Sequence, residues 1–243
     1  MNRRDTADLA GSVGLGAWAA FTVLTLVVTG RSGAPLWPDD GFLIRSVDHR
    51  PEAAVALARA VTATGSGAVP YVLAGLAGAI AGRTTRSRLF AAVAGLACLG
   101  LGQLLRYGVM ELVHRPRPPR GDWRAHASGW AFPSGHTTTA ALTAGLLIVA
   151  LTLRAPRGGT ALRLSVCGWG LLVGLTRIYL GVHWFTDVVG GWLFAVGWLG
   201  VCGCAAAHLS PASFFTSPSH AADPPTENRT GHESGDRGRS RPA

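Results

Sequence analysis

Apolar residues along this chain are gathered into six long segments, and most charged residues stand in the stretches between them. An α-helix needs roughly 20 predominantly apolar residues to cross a bilayer, and each segment is close to that length. The pattern therefore predicts an all-α protein built as a six-transmembrane-helix bundle. The predicted spans are residues 9–30, 62–82, 89–113, 137–153, 164–181 and 187–207.

The placement of the arginines predicts how this bundle is oriented. Six spans put both termini on one side, and arginines cluster before the first span, in the loops after the second and fourth spans, and in the tail. Because basic loops stay cytoplasmic, we expect a multi-pass protein of the cell membrane with both termini in the cytoplasm. Residues 1–209 form the predicted membrane domain, and residues 210–243, rich in Ser, Pro and Gly, are predicted to be a disordered tail.

Composition narrows the class of protein further. The chain is 48% apolar and only 14% charged, with 33 glycines, which is too apolar for an ordinary soluble domain. The formal charge of +9 does not indicate a nucleic-acid partner, because the arginines lie in loops and in the tail rather than along an aromatic-studded stripe. The four cysteines stand in apolar stretches without metal-type spacing and are expected to be buried thiols.

Two outer loops stand out on this topology. The first, about residues 31–59, balances its arginines with carboxylates and is predicted to contain a short surface helix over residues 51–61. The second, residues 113–132, carries an excess of arginine on the side where basic residues are unusual, which favours an anionic ligand. Its arginines are Arg115, Arg117, Arg120 and Arg124, and its one carboxylate is Asp122.

Two histidines, an arginine and an aspartate stand at the ends of the last three spans. His136 opens the fourth span, and Arg177, His183 and Asp187 lie between the fifth and sixth. The topology brings all four to the extracytoplasmic face, where we expect the active site. His183 and Asp187 are four residues apart and share one face of a helix. A carboxylate there can hold the proton of one ring nitrogen and leave the other nitrogen nucleophilic.

The residues before His136 suit a phosphate. Ser134 is a good N-cap for the fourth helix, and Gly135 lets the backbone approach a ligand closely. The free N–H groups and the positive dipole end of a helix N-terminus favour an anion.

These residues resemble two motifs of the type 2 phosphatidic acid phosphatase superfamily, the integral membrane lipid phosphatases related to vanadium haloperoxidases. The motif P-S-G-H is intact at residues 133–136. The motif S-R-x5-H-x3-D is present with threonine in place of serine, as Thr176, Arg177, His183 and Asp187. The resemblance covers about residues 60–205, and six spans is the common architecture of the membrane members.

The resemblance implies a role for each site residue. His183 attacks phosphorus and carries a phosphohistidine, Asp187 orients it, and His136 protonates the leaving group and then activates water. The phosphoryl oxygens are held by Arg117, Arg177 and the backbone at Ser134 and Gly135. No metal and no other cofactor is implied, and the partners are a lipid-phosphate substrate and the bilayer.

The first family motif, K-x6-R-P, departs from the pattern here. Arg117 and Pro118 supply its end, but Met110 stands where the family has lysine. We expect phosphate binding to be retained by a rearranged set of cations. The candidates are Arg106, Arg115, Arg120 and Arg124.

Three classes of function remain open at this stage. One is a lipid phosphatase acting on a prenyl diphosphate, such as undecaprenyl diphosphate, or on a phosphatidate-like lipid. Another is a catalytically weak relative that binds phospholipid or acts as a transporter or scaffold, for which Met110 is the only support. The third is a phosphatase or haloperoxidase that uses the same site on a soluble substrate, and the six spans argue against the haloperoxidases. The sequence specifies neither the substrate nor the oligomeric state.

Overall fold

The protein, in a computed structural model that describes residues 3–47 and 50–209, is built from eight α-helices and one short 3-10 turn. The prediction of an all-α fold is confirmed, and these residues contain no β-strand. The predicted disordered tail, residues 210–243, lies outside the described residues. The helices are α1 (Arg3–Gly30), α2 (Trp37–Val47), α3 (Glu52–Ala63), α4 (Ala68–Ala81), α5 (Thr85–Val113), α6 (Gly135–Arg154), α7 (Gly159–Tyr179) and α8 (Phe185–Leu209), with the 3-10 turn at Arg120–Asp122.

Five of these helices are long and apolar enough to cross a membrane, and α3 with α4 forms a bent pair that makes a sixth crossing when counted as one span. The chain is therefore a multi-pass membrane protein. The five continuous spans are Asp8–Gly30, Thr85–Val113, Gly135–Arg154, Gly159–Tyr179 and Phe185–Ala207.

The second span differs from the continuous segment 62–82 that the hydropathy pattern predicts. α3 and α4 meet at a bend of 49°. Gly67 precedes α4 with φ of +64°, a backbone conformation that glycine adopts without strain. At Gly65 an added Cβ would clash with a side-chain carbon of Val173, so the break lets α7 pass close by. As a result α3 leans across the end of α7 rather than continuing the line of α4.

Small residues allow the helices of the bundle to approach closely. At the crossing of α1 and α8, a Cβ added to Gly200 would stand 2.6 Å from the Cα of Gly14. Close backbone contact of this kind is how helices associate in a membrane, where apolar side chains gain little by leaving lipid. Large side chains such as Leu15, Leu104 and Leu164 point outward and are mostly exposed, as a lipid-facing surface requires.

Two apolar clusters hold the loops at one end of the bundle. Phe132, at the end of the loop between α5 and α6, is fully buried against Phe21 and Phe194. Leu180 and Val182, in the turn between α7 and α8, are buried against α3. The loop before α6 is also joined to the first turn of α8, by a hydrogen bond of 3.0 Å from the Ser134 N–H to the Asp187 carbonyl. The segments that carry the candidate residues are thereby fixed to each other.

Candidate active site

The turn between α7 and α8 presents the candidate nucleophile. The Val182 N–H donates to the Arg177 carbonyl at 3.2 Å, and Gly181 has φ of +71°, so the chain reverses tightly after α7. This reversal places Arg177 in the last turn of α7, Asp187 in the first turn of α8 and His183 between them. All three side chains are buried.

Asp187 faces the ring of His183 with one oxygen and an arginine with the other. Its Oδ2 lies 3.4 Å from His183 Nδ1 and accepts a hydrogen bond of 2.9 Å from the Trp184 N–H. Its Oδ1 accepts from Arg115 Nη1 at 2.6 Å. The 3.4 Å separation is longer than an optimal N–H···O bond, and catalytic hydrogen bonds often shorten only when substrate is bound.

Arg117 approaches the other ring nitrogen. Its Nη1 lies 2.8 Å from His183 Nε2 and also donates to the Val182 carbonyl at 2.9 Å. Three further carbonyls of the α5–α6 loop, at residues 128–130, accept from the same guanidinium. Since Arg117 can only donate, Nε2 must present its lone pair, and the ring proton belongs on Nδ1, facing Asp187.

The surroundings favour the neutral imidazole. Burial, followed by the charges of Arg117 and Arg177, lowers the pKa of His183 well below its usual value of 6.5. Burial also lowers the pKa of Arg117 from its usual value, although an arginine remains charged at neutral pH. A neutral ring with a free lone pair on Nε2 is the form that can attack an electrophile.

His183 opens into a cavity of about 240 Å³ that is rich in cationic groups. Arg106, Arg117, Arg177 and His136 line it together with His183. A second cavity, of about 560 Å³, adjoins it and shares His126, His136 and Arg177. The fold thus brings these five predicted residues into one cavity, although they come from four separate segments.

The N-terminus of α6 forms one wall of the smaller cavity. Ser134 occupies the N-cap position, as expected, but its side chain makes no capping hydrogen bond to the backbone and accepts instead from the Thr137 hydroxyl at 2.9 Å. Gly135 lies against Arg106, since an added Cβ would stand 3.4 Å from the guanidinium carbon. The unpaired N–H groups of the first helical turn thus lie beside a cation.

Arg106 reaches the position left without charge by Met110. Its Nε donates to Gln103 Oε1 at 3.0 Å, and its Nη1 lies 3.5 Å from the sulfur of Met110. Gln103 in turn donates to the Thr139 hydroxyl of α6 at 2.7 Å. Although Arg106 is only 5% exposed, it hydrogen-bonds to no carboxylate within the part of the chain that the structure describes, and it lines the cavity. Its guanidinium therefore supplies positive charge beside the side chain at the family lysine position, although the Arg106 backbone lies one turn earlier in α5.

The other three candidate cations are placed differently. Arg124 lines the larger cavity, and Arg120 is exposed and lines neither cavity. Arg115 is fully buried and contacts two carboxylates, those of Asp39 and Asp187, rather than the cavity. Of the expected substitutes for the lysine, Arg106 is the one in the cavity with His183.

Several residues of this region were missed by the sequence reasoning. Arg59 lines the larger cavity, and Thr62 accepts from Arg177 at 3.2 Å. Asp39 is fully buried behind the site, while its neighbour Asp40 is exposed. No local pattern distinguishes these two aspartates. Within residues 3–47 and 50–209, no group of three His, Cys, Asp or Glu side chains is arranged to hold a metal ion.

The chain is similar to known membrane phosphatases. The family model described as the PAP2 superfamily matches residues 91–208. Phosphatidylglycerophosphatase B of Bacillus subtilis strain 168 is 35% identical over 107 residues, which are 43% of this chain and 51% of that protein. The lipid A 1-phosphatase of Rhizobium etli is 36% identical over 73 residues, 30% of this chain and 28% of the relative. The chain thus spans about half or less of the length of these relatives.

A solved structure supports the same fold. The crystal structure of a transmembrane PAP2-type phosphatidylglycerolphosphate phosphatase from Bacillus subtilis matches 82% of this chain and 98% of its own, with a TM-score of 0.66. At 22% sequence identity, this likeness establishes the arrangement of the helices. Residues 91–208, which the family model matches, contain every residue that lines the smaller cavity.

Proposed function

Since the chain belongs to the PAP2 superfamily, we propose that it is a membrane phosphatase that removes phosphate from a lipid phosphate or lipid diphosphate through a phosphohistidine intermediate. The observation that carries this proposal is the position of His183, whose Nε2 accepts from Arg117 and whose ring lines a cavity with three arginines and two further histidines. The arrangement combines a nucleophile, a proton donor and charges for the phosphoryl oxygens.

The first step uses His183 and His136. The Nε2 lone pair of His183 forms the new bond to phosphorus, while the bond between phosphorus and the leaving oxygen breaks. His136 lines the same cavity and gives a proton to that oxygen. Asp187, 3.4 Å from Nδ1, stabilises the positive charge that develops on the ring. In the second step a water gives its proton to His136 and attacks phosphorus, which returns the bonding pair to Nε2 and releases phosphate.

The phosphoryl oxygens need a set of positive charges, because phosphoryl transfer depends mainly on positioning and electrostatic stabilisation. We assign this role to Arg117, Arg177 and the N–H at Gly135, with Arg106 in place of the absent lysine, while the Ser134 N–H is already donated to the Asp187 carbonyl. Three guanidinium groups in one cavity supply the charge that a metal ion provides in other phosphatases, so we propose a metal-independent reaction.

Substrate and location are parts of the same proposal. The larger cavity, with Arg59 and Arg124 on its walls, offers room and positive charge for a head group or a second phosphate beyond the reacting one. This supports a prenyl diphosphate, with phosphatidate-like lipids as the next choice. The distribution of arginines among the loops supports a site on the extracytoplasmic face of the cell membrane and cytoplasmic termini.

The test measures phosphate release by the purified protein from prenyl diphosphate, phosphatidate and phosphatidylglycerophosphate, each with a metal chelator present. We expect release from at least one lipid, abolished by His183→Ala and unaffected by His114→Ala, a matched change at an exposed histidine. His136→Ala should slow turnover and allow an acid-labile phosphohistidine to be trapped.

Two results would count against the proposal. If His183→Ala released as much phosphate as the unmutated chain, the reaction would not pass through this site. If no lipid were hydrolysed but phospholipid still bound, the weak-relative alternative would replace the enzyme. Loss of activity on adding chelator, restored by a divalent metal, would contradict metal independence alone.

A further inference from the structure

Behind the His183–Asp187 pair lies a second pair of charged residues that the proposed reaction does not use. Arg115 and Asp39 are both fully buried, and Arg115 Nη2 donates to Asp39 Oδ2 at 2.7 Å. The other terminal nitrogen of Arg115 donates to Asp187 Oδ1 at 2.6 Å. One guanidinium thus joins two carboxylates, and through Asp187 it is connected to the candidate nucleophile.

Asp39 is itself held rigidly. Its Oδ1 accepts from the backbone N–H of Thr186 at 2.8 Å, and its Oδ2 accepts from the Leu36 N–H at 2.8 Å. The Thr186 hydroxyl also donates to Asp39, at 2.8 Å to Oδ1, while it accepts from Arg115 at 2.7 Å. Asp39, a residue of α2, therefore caps the N-terminus of α8 and also fixes the position of Arg115.

This geometry leaves Asp187 little freedom. Arg115 holds Oδ1, and the Trp184 N–H holds Oδ2, so the plane of the carboxylate is set by two donors on opposite sides. With Oδ1 engaged, Oδ2 is the oxygen that faces His183 Nδ1. The bond of 2.6 Å from Arg115 is charge-assisted and of a kind that is among the stronger ones in proteins, and rotation of Asp187 would have to break it.

The charges of the network also matter. Two carboxylates and one guanidinium sum to one negative charge, next to an imidazole that becomes positive when it binds phosphorus. If Asp39 were absent, Arg115 would neutralise Asp187 alone, and the compensating charge behind His183 would be lost.

We propose that Arg115 and Asp39 are positioning residues: they orient Asp187 and maintain a net negative charge behind His183, which favours the Nδ1–H form of the ring and its phosphorylated state. The inference rests on the proposed phosphatase function. It differs from a purely structural role, in which Arg115 and Asp39 merely tie α2 and the α5–α6 loop to α8.

The test compares Asp39→Asn and Arg115→Lys with matched changes at exposed positions, Asp40→Asn and Arg31→Lys. Asparagine keeps the shape of Asp39 without its charge. Lysine keeps the charge of Arg115 but lacks the planar fork that bridges two carboxylates. The kcat and KM for the best lipid phosphate are measured per folded protein, together with Tm and the ¹⁵N NMR signals of the histidine rings, with His183 assigned from a His183→Gln spectrum.

We expect kcat to fall about 10- to 100-fold in both network variants, by analogy with the loss seen when the hydrogen-bond partners of metal-bound histidines are removed. KM should change little, since neither residue lines the cavity. The His183 signals should show a smaller fraction of the Nδ1–H form in both variants, and the two control variants should match the unmutated chain.

Each other outcome has a definite meaning. A kcat within twofold of the controls, or a lower kcat with unchanged His183 signals, would overturn the inference and leave the network structural. If Arg115→Lys does not fold, Asp39→Asn decides by the same criteria. If the unmutated chain hydrolyses no lipid phosphate, the phosphatase proposal fails separately, and the His183 signals of Asp39→Asn still decide whether the network sets the state of the ring.

Discussion

The substitution of the family lysine by Met110 leads to a prediction about Arg106. If Arg106 holds a phosphoryl oxygen, Arg106→Met removes one charged donor from the cavity. Loss of a single donor that stabilises a developing oxyanion reduces kcat by about 10²- to 10³-fold. We therefore expect a loss of that size in kcat/KM, with the helical fold retained, because methionine suits a helix that crosses a membrane.

Restoring the lysine alone should not help. In Met110→Lys the new ammonium would lie near the present sulfur, which is 3.5 Å from Arg106 Nη1. Two like charges at that distance repel by about 5 kcal/mol at an effective dielectric constant near 20. This is comparable to the whole stability of many domains. Met110→Lys should therefore lower both Tm and activity. The double variant that combines Arg106→Met with Met110→Lys has one cation again, and it should recover part of the activity lost in Arg106→Met.

The assay is phosphate release from the preferred lipid under conditions where kcat and KM can be separated. Arg86→Met is the matched control, since Arg86 is an exposed arginine of the same helix. A kcat/KM for Arg106→Met within threefold of Arg86→Met would refute the reasoning. In that case the phosphate would be held without Arg106, and the position of this guanidinium in the cavity would have no catalytic meaning.

Three further predictions follow from the packing and the charges. Gly200→Ala should lower Tm because its Cβ would meet the backbone of α1 at 2.6 Å, whereas Gly16→Ala, with nothing within 4 Å, should not. Phe132→Ala should cost about 3–5 kcal/mol of unfolding free energy, measured by reversible denaturation, because its ring is fully buried; an unchanged midpoint would contradict this. NMR titration should find His183 neutral at pH 6.5, and Arg117→Gln should raise its pKa by removing a nearby positive charge; a lower or unchanged value would contradict the electrostatic account.

Much of the architecture could be predicted from the sequence because a membrane imposes a strict length and polarity on each span. The six segments were recognisable without any contact information. The histidines, Arg177 and Asp187 could also be recognised, since polar groups at span ends are costly and two motifs fix their spacing.

The break in the second span could not be predicted in the same way. Residues 62–82 are uninterrupted by charge, and hydropathy alone makes them one helix. The bend between α3 and α4 depends on how closely α7 approaches Gly65, which is a property of two helices together.

The cations show most clearly the limit of the sequence. Arg115 and Arg117 stand two residues apart in one arginine–proline run, yet the first is enclosed by Asp39 and Asp187 while the second contacts His183. The sequence by itself determined a bundle of membrane helices, and it predicted a cationic site with His183 as the nucleophile. Only the tertiary structure decided which arginine meets a carboxylate and which faces the cavity, because a guanidinium's partners come from helices distant in the chain, whose crossing positions no local pattern encodes.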